Sequence, residues 1–312
     1  MSEAPAQPPA VSVIMPVYNH AAYVGEAIRS VVEQTDADWE LLVVDDGSTD
    51  GSAGVAQDWA GRDGRITVLR QANHGPAAAR NAGIARARAA WLAYLDSDDV
   101  WHPHALTAYA QARRRHEDER FFYGYRHRLD DHGHVIELPP AHQDAPTGTA
   151  ELWERMYLSH LCVCYRRDLL DATGAYDEAL GQCEDYELYL RLSLHTRFRP
   201  TGVATGLRRR HGRNLSRQTG YSRLLEAEVL RRFAERQGGA AVLDADRVAA
   251  RLGRLYYAAG RQYARAGCFR QARRALGRAH RYRRTAKSTA VAAVATALCW
   301  CGRTDPRPLP AL

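Results

Sequence analysis

The chain is almost without lysine. Lys287 is the only one, so arginine carries nearly all of the 43 basic side chains and the formal charge of +7 over 312 residues. A P-loop lysine in its motif context and a Schiff-base lysine are thereby nearly excluded. Long apolar runs are missing too. The best candidate, "STAVAAVATALCWC" (Ser288 to Cys301), falls short of the roughly 18 to 20 apolar residues that a membrane-spanning helix needs. No C-x-x-C arm occurs among the six cysteines. Cys162 and Cys164 stand two apart, as do Cys299 and Cys301, while Cys183 and Cys268 are isolated, so free thiols are expected and not a zinc site or disulfides. The opening "MSEAPAQPPA" has neither a basic n-region nor an apolar h-region. A flexible tail over residues 1–10 is expected there instead of a signal peptide, with a cytoplasmic location. The arginine preference is read as genome composition, and no nucleic-acid partner is expected.

What is present, 46% hydrophobic and 25% charged residues, allows one substantial core and a small second one. Four β-branched or apolar runs, "VSVIMPVY" (Val11 to Tyr18), "ELLVVDD" (Glu40 to Asp46), "RITVLR" (Arg65 to Arg70) and "AWLAYLD" (Ala90 to Asp96), alternate with three helix-like stretches. Ala27, Ile28, Val31 and Val32 recur at helical spacing in the first of these, and Pro76 suits the first turn of the third. Strands alternating with helices predict an α/β fold with a doubly wound, mostly parallel sheet flanked by helices.

In such sheets ligands bind beyond the carboxyl ends of the strands. Asp45 and Asp46 end the second predicted strand, and Asp96, Asp98 and Asp99 follow the fourth. Clustered carboxylates repel unless a cation neutralises them. They read in two ways. Turn and helix-cap duty explains "DGSTDGS" well, and Asp99 is also placed to cap a helix starting near Pro103. For Asp96 and Asp98 a metal–diphosphate loop is the stronger reading, because a cap needs one oxygen and this loop offers three acids. A hard cation, Mg²⁺ or Mn²⁺, binds through one or two carboxylates plus substrate phosphates.

"VSVIMPVYNHAAYVGEAIRSVVEQT", "ELLVVDDGSTDGS", "GPAAARNAGIARARAAWLAYLDSDD" and "YRRDLLDATGAYDEALGQCEDYELYLRL", in that order, resemble the family 2 glycosyltransferases of the GT-A fold, a Rossmann-like architecture. The resemblance runs from about Val11 to about Ser216. It implies a catalytic domain over residues 11–220, and the remainder, 221–312, lies beyond it and is read as a helical C-terminal extension. It implies that Pro16, Val17 and Tyr18 line a nucleobase pocket, that Asp45 accepts a hydrogen bond from the base with Asp46 beside it, and that Arg80 lies near ribose and diphosphate. Asp96 and Asp98 resemble the D-x-D pair, in which one acid serves ribose or a metal-bound water and the other meets the metal, and both are candidate metal ligands. Glu184 and Asp185 resemble the family's E-D pair, whose aspartate is the general base. His211 resembles a ligand for metal or diphosphate from the far side. Read without the resemblance, Tyr18 is also a core aromatic, Arg80 a helix-surface arginine, Asp185 a first-turn acid favoured by the helix dipole, and His211 a surface histidine.

The implied activity is transfer of a sugar from a nucleoside diphosphate-sugar, with inversion, to an acceptor hydroxyl of a glycan, a glycolipid or a cell-surface polysaccharide precursor. A catalytically degenerate scaffold is an alternative. A sugar-phosphate nucleotidyltransferase would bring G-x-G-x-R near the N-terminus and a catalytic lysine, and neither is present. Beyond the resemblance, Tyr256, Ala259, Gly260, Tyr263, Gly267, Ala272, Leu276 and Ala279 show the spacing of a tetratricopeptide-like hairpin, which cannot bury its face without neighbours. The basic "RAHRYRRTAK" ahead of an apolar stretch also fits peripheral association with an anionic membrane face.

Overall fold

Val11–Val17 (β1), Trp39–Asp45 (β2), Ile66–Arg70 (β3) and Trp91–Tyr94 (β4) pair in parallel in the order β3-β2-β1-β4. In the computed structural model, which describes residues 7–130, 133–138, 145–211, 219–283, 289–293 and 296, these are the four runs legible in the sequence. β2 is buried along its whole length, as expected of a parallel strand covered on both faces. Its buried Glu40 accepts from Ser12 Oγ (2.6 Å) and from Arg88 Nε (2.7 Å). The helices Val24–Val32 (α1), Ser52–Ala60 (α2) and Pro76–Arg86 (α3) connect the strands. Gly83 lets α3 approach β1, since a Cβ there would lie 2.6 Å from Ile14 Cγ2.

The second half makes the sheet mixed. Val100–Trp101 (β5), Ala105–Arg115 (α4), Phe121–Leu129 (β6), Val135–Ile136 (β7) and Thr149–Glu154 (α5) follow β4. Then come Val163–Arg166 (β8), Leu169–Thr173 (α6), Glu184–Leu192 (α7) and Arg199–Arg209 (β9). The order continues β4-β8-β6-β9-β5, with β7 alongside β6. Only β6 and β9 are parallel in this half. One core unites the faces of β1 and β2 with Ile28, Trp101, Tyr109, Phe122 and Leu161. Cys162 and Cys164 are buried free thiols, pushed up to about 12 by burial, whereas Cys299 and Cys301 lie outside the described residues.

The chain divides into two compact units: Met1–Gly148 with Arg155–Gly212, and Thr149–Glu154 with Arg213–Leu312. In the second, Thr219–Arg236 (α8), Ala245–Arg265 (α9) and Phe269–Tyr282 (α10) pack with α5. Asp244 caps α9 by accepting from Arg247 N at 3.0 Å. Gly267, at φ 77°, makes the turn into α10 in the left-handed region that glycine enters freely. A Cβ on Gly260 would meet Leu276 Cγ at 2.6 Å, so the two helices touch backbone to side chain. The spaced residues Tyr256, Ala259, Gly260, Tyr263, Ala272, Leu276 and Ala279 are the buried ones. Among the described residues no helix is long and apolar enough to cross a membrane. Of the stretch 288–301, Val291 and Ala292 pack against the core of α9 and α10.

Candidate functional site

The site is built around the turn after β4. Leu95 N still bonds to Ile14 O (3.2 Å), then Asp99 N bonds to Asp96 O (3.0 Å) and the chain reverses into β5. Because β5 pairs antiparallel with β9, the end of β9 returns across this turn. Asp99 is therefore not the cap of the next helix. It is buried and accepts from Arg209 N at 2.8 Å, while α4 starts at Ala105 behind His104. Burial, with Asp98 and Asp96 nearby, pushes the Asp99 carboxyl well above the usual carboxylate range.

Arg80 joins two of the predicted residues. Its Nη2 donates to Asp96 Oδ1 (2.9 Å) and its Nη1 to Glu184 Oε1 (2.5 Å). The arginine and Glu184 are buried, and the Asp96 side chain is 33% exposed. Burial works against the charges of Arg80 and Asp96, but the pairing holds Arg80 protonated and lowers the Asp96 carboxyl. Glu184 and Asp185 form the first turn of α7. Asp185 Oδ1 accepts from Tyr186 N at 2.7 Å. Burial, then the Glu184 carboxylate, raises Asp185 to about 6 against the pull of Arg80. Cys183, which precedes the pair, is in the left-handed region at φ 62°, uncommon for a residue with a side chain.

Asp98 and His211 meet on the other side of the turn, Nε2 to Oδ2 at 2.9 Å. His211 stacks on Tyr23 with centroids 4.9 Å apart, and the Arg209 guanidinium lies 5.4 Å from the same ring while donating to Glu26 Oε2 at 2.6 Å. His20 Nδ1 lies 2.8 Å from Ser97 Oγ. Sequence reasoning missed His20 and Tyr23. The position of "NHAAY" just past the β1 end is the signal that could have found them.

At the end of β1, Tyr18 is 47% exposed, Pro16 is half-buried, and Val17 is in the core, so Val17 can line a pocket only through its backbone. Asp45 is fully buried, accepting from Arg70 Nε (3.0 Å) and Ser48 N (3.2 Å). Asp46 accepts from Gln71 Nε2 (2.8 Å), His74 N (2.9 Å) and Gly75 N (2.8 Å), which pins the loop into α3. β1 separates these two acids from the Asp96 turn.

Among the described residues no group of three or more His, Cys, Asp and Glu already surrounds a common point. The donor set nevertheless fits a divalent cation. Asp98 and His211 offer one hard oxygen and one imidazole nitrogen side by side, and the crowded carboxylates of the turn carry charge that a cation would relieve. Substrate phosphates commonly complete such a shell.

The model of the family described as Glycosyl transferase family 2 matches residues 12–174. The chain is 36% identical over 186 residues to the uncharacterized protein y4gI of Sinorhizobium fredii, covering 59% of this chain and 20% of that protein. It is 26% identical over 213 residues to a chondroitin synthase of Escherichia coli (67% and 30%). With the putative teichuronic acid biosynthesis glycosyltransferase TuaG of Bacillus subtilis it shares 44% over 94 residues (30% and 37%). The matches thus span well under half of these relatives. In fold the chain is similar to S. aureus TarS 1-349 in complex with UDP, at TM-score 0.65, 18% identity and coverage of 96% and 94%. It is also similar to the mannosyltransferase PcManGT of Pyrobaculum calidifontis in complex with GDP-Man and Mn2+, at TM-score 0.56, 19% identity and coverage of 95% and 82%.

Proposed function

Because the chain belongs to glycosyl transferase family 2, we propose that it moves a sugar from a nucleoside diphosphate-sugar, with inversion, to an acceptor hydroxyl. The acceptor class is a glycan, a glycolipid or a cell-surface polysaccharide precursor. The observation that carries this reading is the Asp185 carboxyl, raised to about 6 beside the Arg80 bridge between Asp96 and Glu184. A carboxylate with a pKa close to working pH is suited to general-base work. Asp185 takes the proton of the acceptor hydroxyl, the oxygen bonds to the anomeric carbon, and the bond from that carbon to the diphosphate breaks with its electrons leaving on the nucleotide. Arg80 and Glu184 hold the start of α7 to the Asp96 turn and so fix the base. Tyr18, Pro16, the Val17 backbone and Asp45 frame the nucleobase, with Asp46 supporting them.

Asp98 and His211, with Asp96 close by, would hold Mg²⁺ or Mn²⁺, which when bound supplies positive charge to the departing diphosphate. A uridine donor is favoured by analogy: TarS has been seen with UDP and with UDP-GlcNAc. A lipid-linked acceptor would be met at the inner membrane face, where the exposed Arg270, Arg273 and Arg274 of α10 turn positive charge toward anionic lipid.

Incubating the protein with UDP-GlcNAc and other nucleotide sugars, with and without Mn²⁺, tests the reading through slow, acceptor-independent release of UDP. Metal-dependent release that disappears in Asp98→Asn supports it. No release and no binding of any nucleotide sugar would leave only a scaffold.

A further inference from the structure

We propose that Arg126 and Arg128 of β6, with Arg208 of β9, form a seat for an oxyanion carried by the acceptor, a phosphate or a carboxylate near the attacking hydroxyl. The inference rests on the glycosyltransferase reading and adds the chemical class of the acceptor.

The register of the sheet brings these side chains together. β6 and β9 pair in parallel with Arg126 opposite Gly206 and Arg128 opposite Arg208, so the three arginines share one face. Like charges directly opposite one another weaken a sheet. Neither Arg126 nor Arg128 forms an ion pair among the described residues. The one side-chain hydrogen bond of Arg126 there is to the neutral Ser159 Oγ, at 3.2 Å. Two half-buried guanidiniums, Arg126 and Arg128, that make no ion pair among the described residues are costly unless something anionic visits them. Burial and Arg208 push the Arg126 guanidinium below its ordinary value.

The same face looks toward the reaction. At Gly206 it abuts the turn His160–Cys162, where a Cβ would come 2.0 Å from Leu161 Cδ1. His160, beside Ser159, packs its ring 4.6 Å from that of Tyr94 and bonds to Tyr189 of the helix that begins with Glu184 and Asp185. Arg208 also lies near enough to Asp96 to act on its carboxyl. The next residue, Arg209, points to the opposite side, onto Tyr23 and Glu26. Alternation along β9 thus sends Arg209 to the metal and nucleotide side and Arg208 to the side of Ser159 and the base. Arginine forks match phosphate and carboxylate geometry in pairs of hydrogen bonds.

The test titrates three soluble oligomers of equal length into the full chain by calorimetry: a glycerol phosphate oligomer, a uronic acid oligomer and a neutral glucose oligomer. UDP with Mn²⁺ is titrated in parallel. The wild type is expected to bind at least one anionic oligomer about tenfold or more tighter than the neutral one, and Arg128→Gln to lose about tenfold of that affinity, as for one charge-assisted hydrogen bond. Which anionic oligomer responds separates phosphate from carboxylate. The loss in Arg128→Gln should exceed any loss of UDP affinity by about tenfold, and Arg128→Lys should retain part of the binding. Equal affinity for the neutral and anionic oligomers overturns the proposal. So does a parallel fall in UDP affinity, which would assign the arginines to the donor diphosphate. Should Arg128→Gln not fold, competition by inorganic phosphate against the anionic oligomer on the wild type decides, absence of competition counting against the seat. Failure of the wild type to bind UDP or any other nucleoside diphosphate would instead sink the glycosyltransferase reading, with the oligomer comparison still reporting on the seat.

Discussion

Arg80 and Glu184, 104 positions apart in the sequence, meet with Nη1 2.5 Å from Oε1, and the other arm of the same guanidinium holds Asp96. One fork thus ties the turn after β4 to the first turn of α7. Removing one partner of a buried pair leaves the other charge uncompensated, at a cost of about 3–5 kcal/mol. Arg80→Met is therefore expected to lower the thermal midpoint strongly and to abolish turnover. Adding Glu184→Gln to it should restore part of the stability but not the activity. A double-mutant cycle by urea denaturation measures the coupling, and additive losses would mean that the bridge does not act as a unit.

Asp185 gives a pH signature with a definite sign. Its folded-state value, about 6, lies above that of an unfolded aspartate, so the folded chain holds an extra proton between those values and loses stability as pH rises through that window. The ionised base at neutral pH is the strained form. Asp185→Asn should accordingly gain roughly 1–2 kcal/mol at pH 7.5, after allowance for partial exposure, and little at pH 4. Activity of the wild type should fall on the acid side with an apparent pKa near 6. A midpoint for Asp185→Asn that is lower at pH 7.5, or an acid limb near 4, contradicts this.

Asp98 and His211 face each other across a loop and not within the core. Asp98→Asn and His211→Ala should each weaken Mn²⁺ binding in the presence of UDP by about tenfold to a hundredfold, with turnover following. His211→Ala should also loosen Tyr23, its stacking partner. Fluorescence titration with Mn²⁺ reads the first effect. Undiminished metal affinity in both variants would remove these residues from the metal role.

Cys183 is held at φ 62° directly before the acidic pair. A non-glycine residue there costs on the order of 1 kcal/mol, and glycine avoids that cost while adding unfolded-state entropy of similar size. Cys183→Gly should then be close to neutral in stability and retain turnover, whereas the β-branched Cys183→Val should lose about 1–2 kcal/mol and most activity. Thermal melts beside initial rates of UDP release check both, and a well-tolerated valine would show that this backbone geometry is not required.

The four parallel strands were legible because each is a short β-branched run ending in acids or turn residues, and β1 to β4 fall within a residue or two of the expected bounds. The buried helical spacing of Tyr256, Ala259 and Leu276 was legible for the same reason, periodicity. Long-range pairing leaves no local mark. Nothing near Asp99 in sequence announces Arg209 N, 110 positions away, so its role as a helix cap was a fair but mistaken expectation. Nor does "YRHRL" reveal that Arg128 will stand opposite Arg208, because register across a sheet is fixed by partners elsewhere in the chain.

The short helix Thr149–Glu154 belongs with the helical unit, although the chain on both sides of it builds the sheet. Its Trp153 is fully buried, with its ring 6.4 Å from that of Phe233 on α8. The helical unit is therefore not a cassette that one recombination after Gly212 could replace. A chimera made with a relative would need two splices, one of them exchanging residues 149–154. A single-junction chimera would carry a tryptophan shaped for a partner it no longer has, so these two stretches of sequence are expected to change together or not at all.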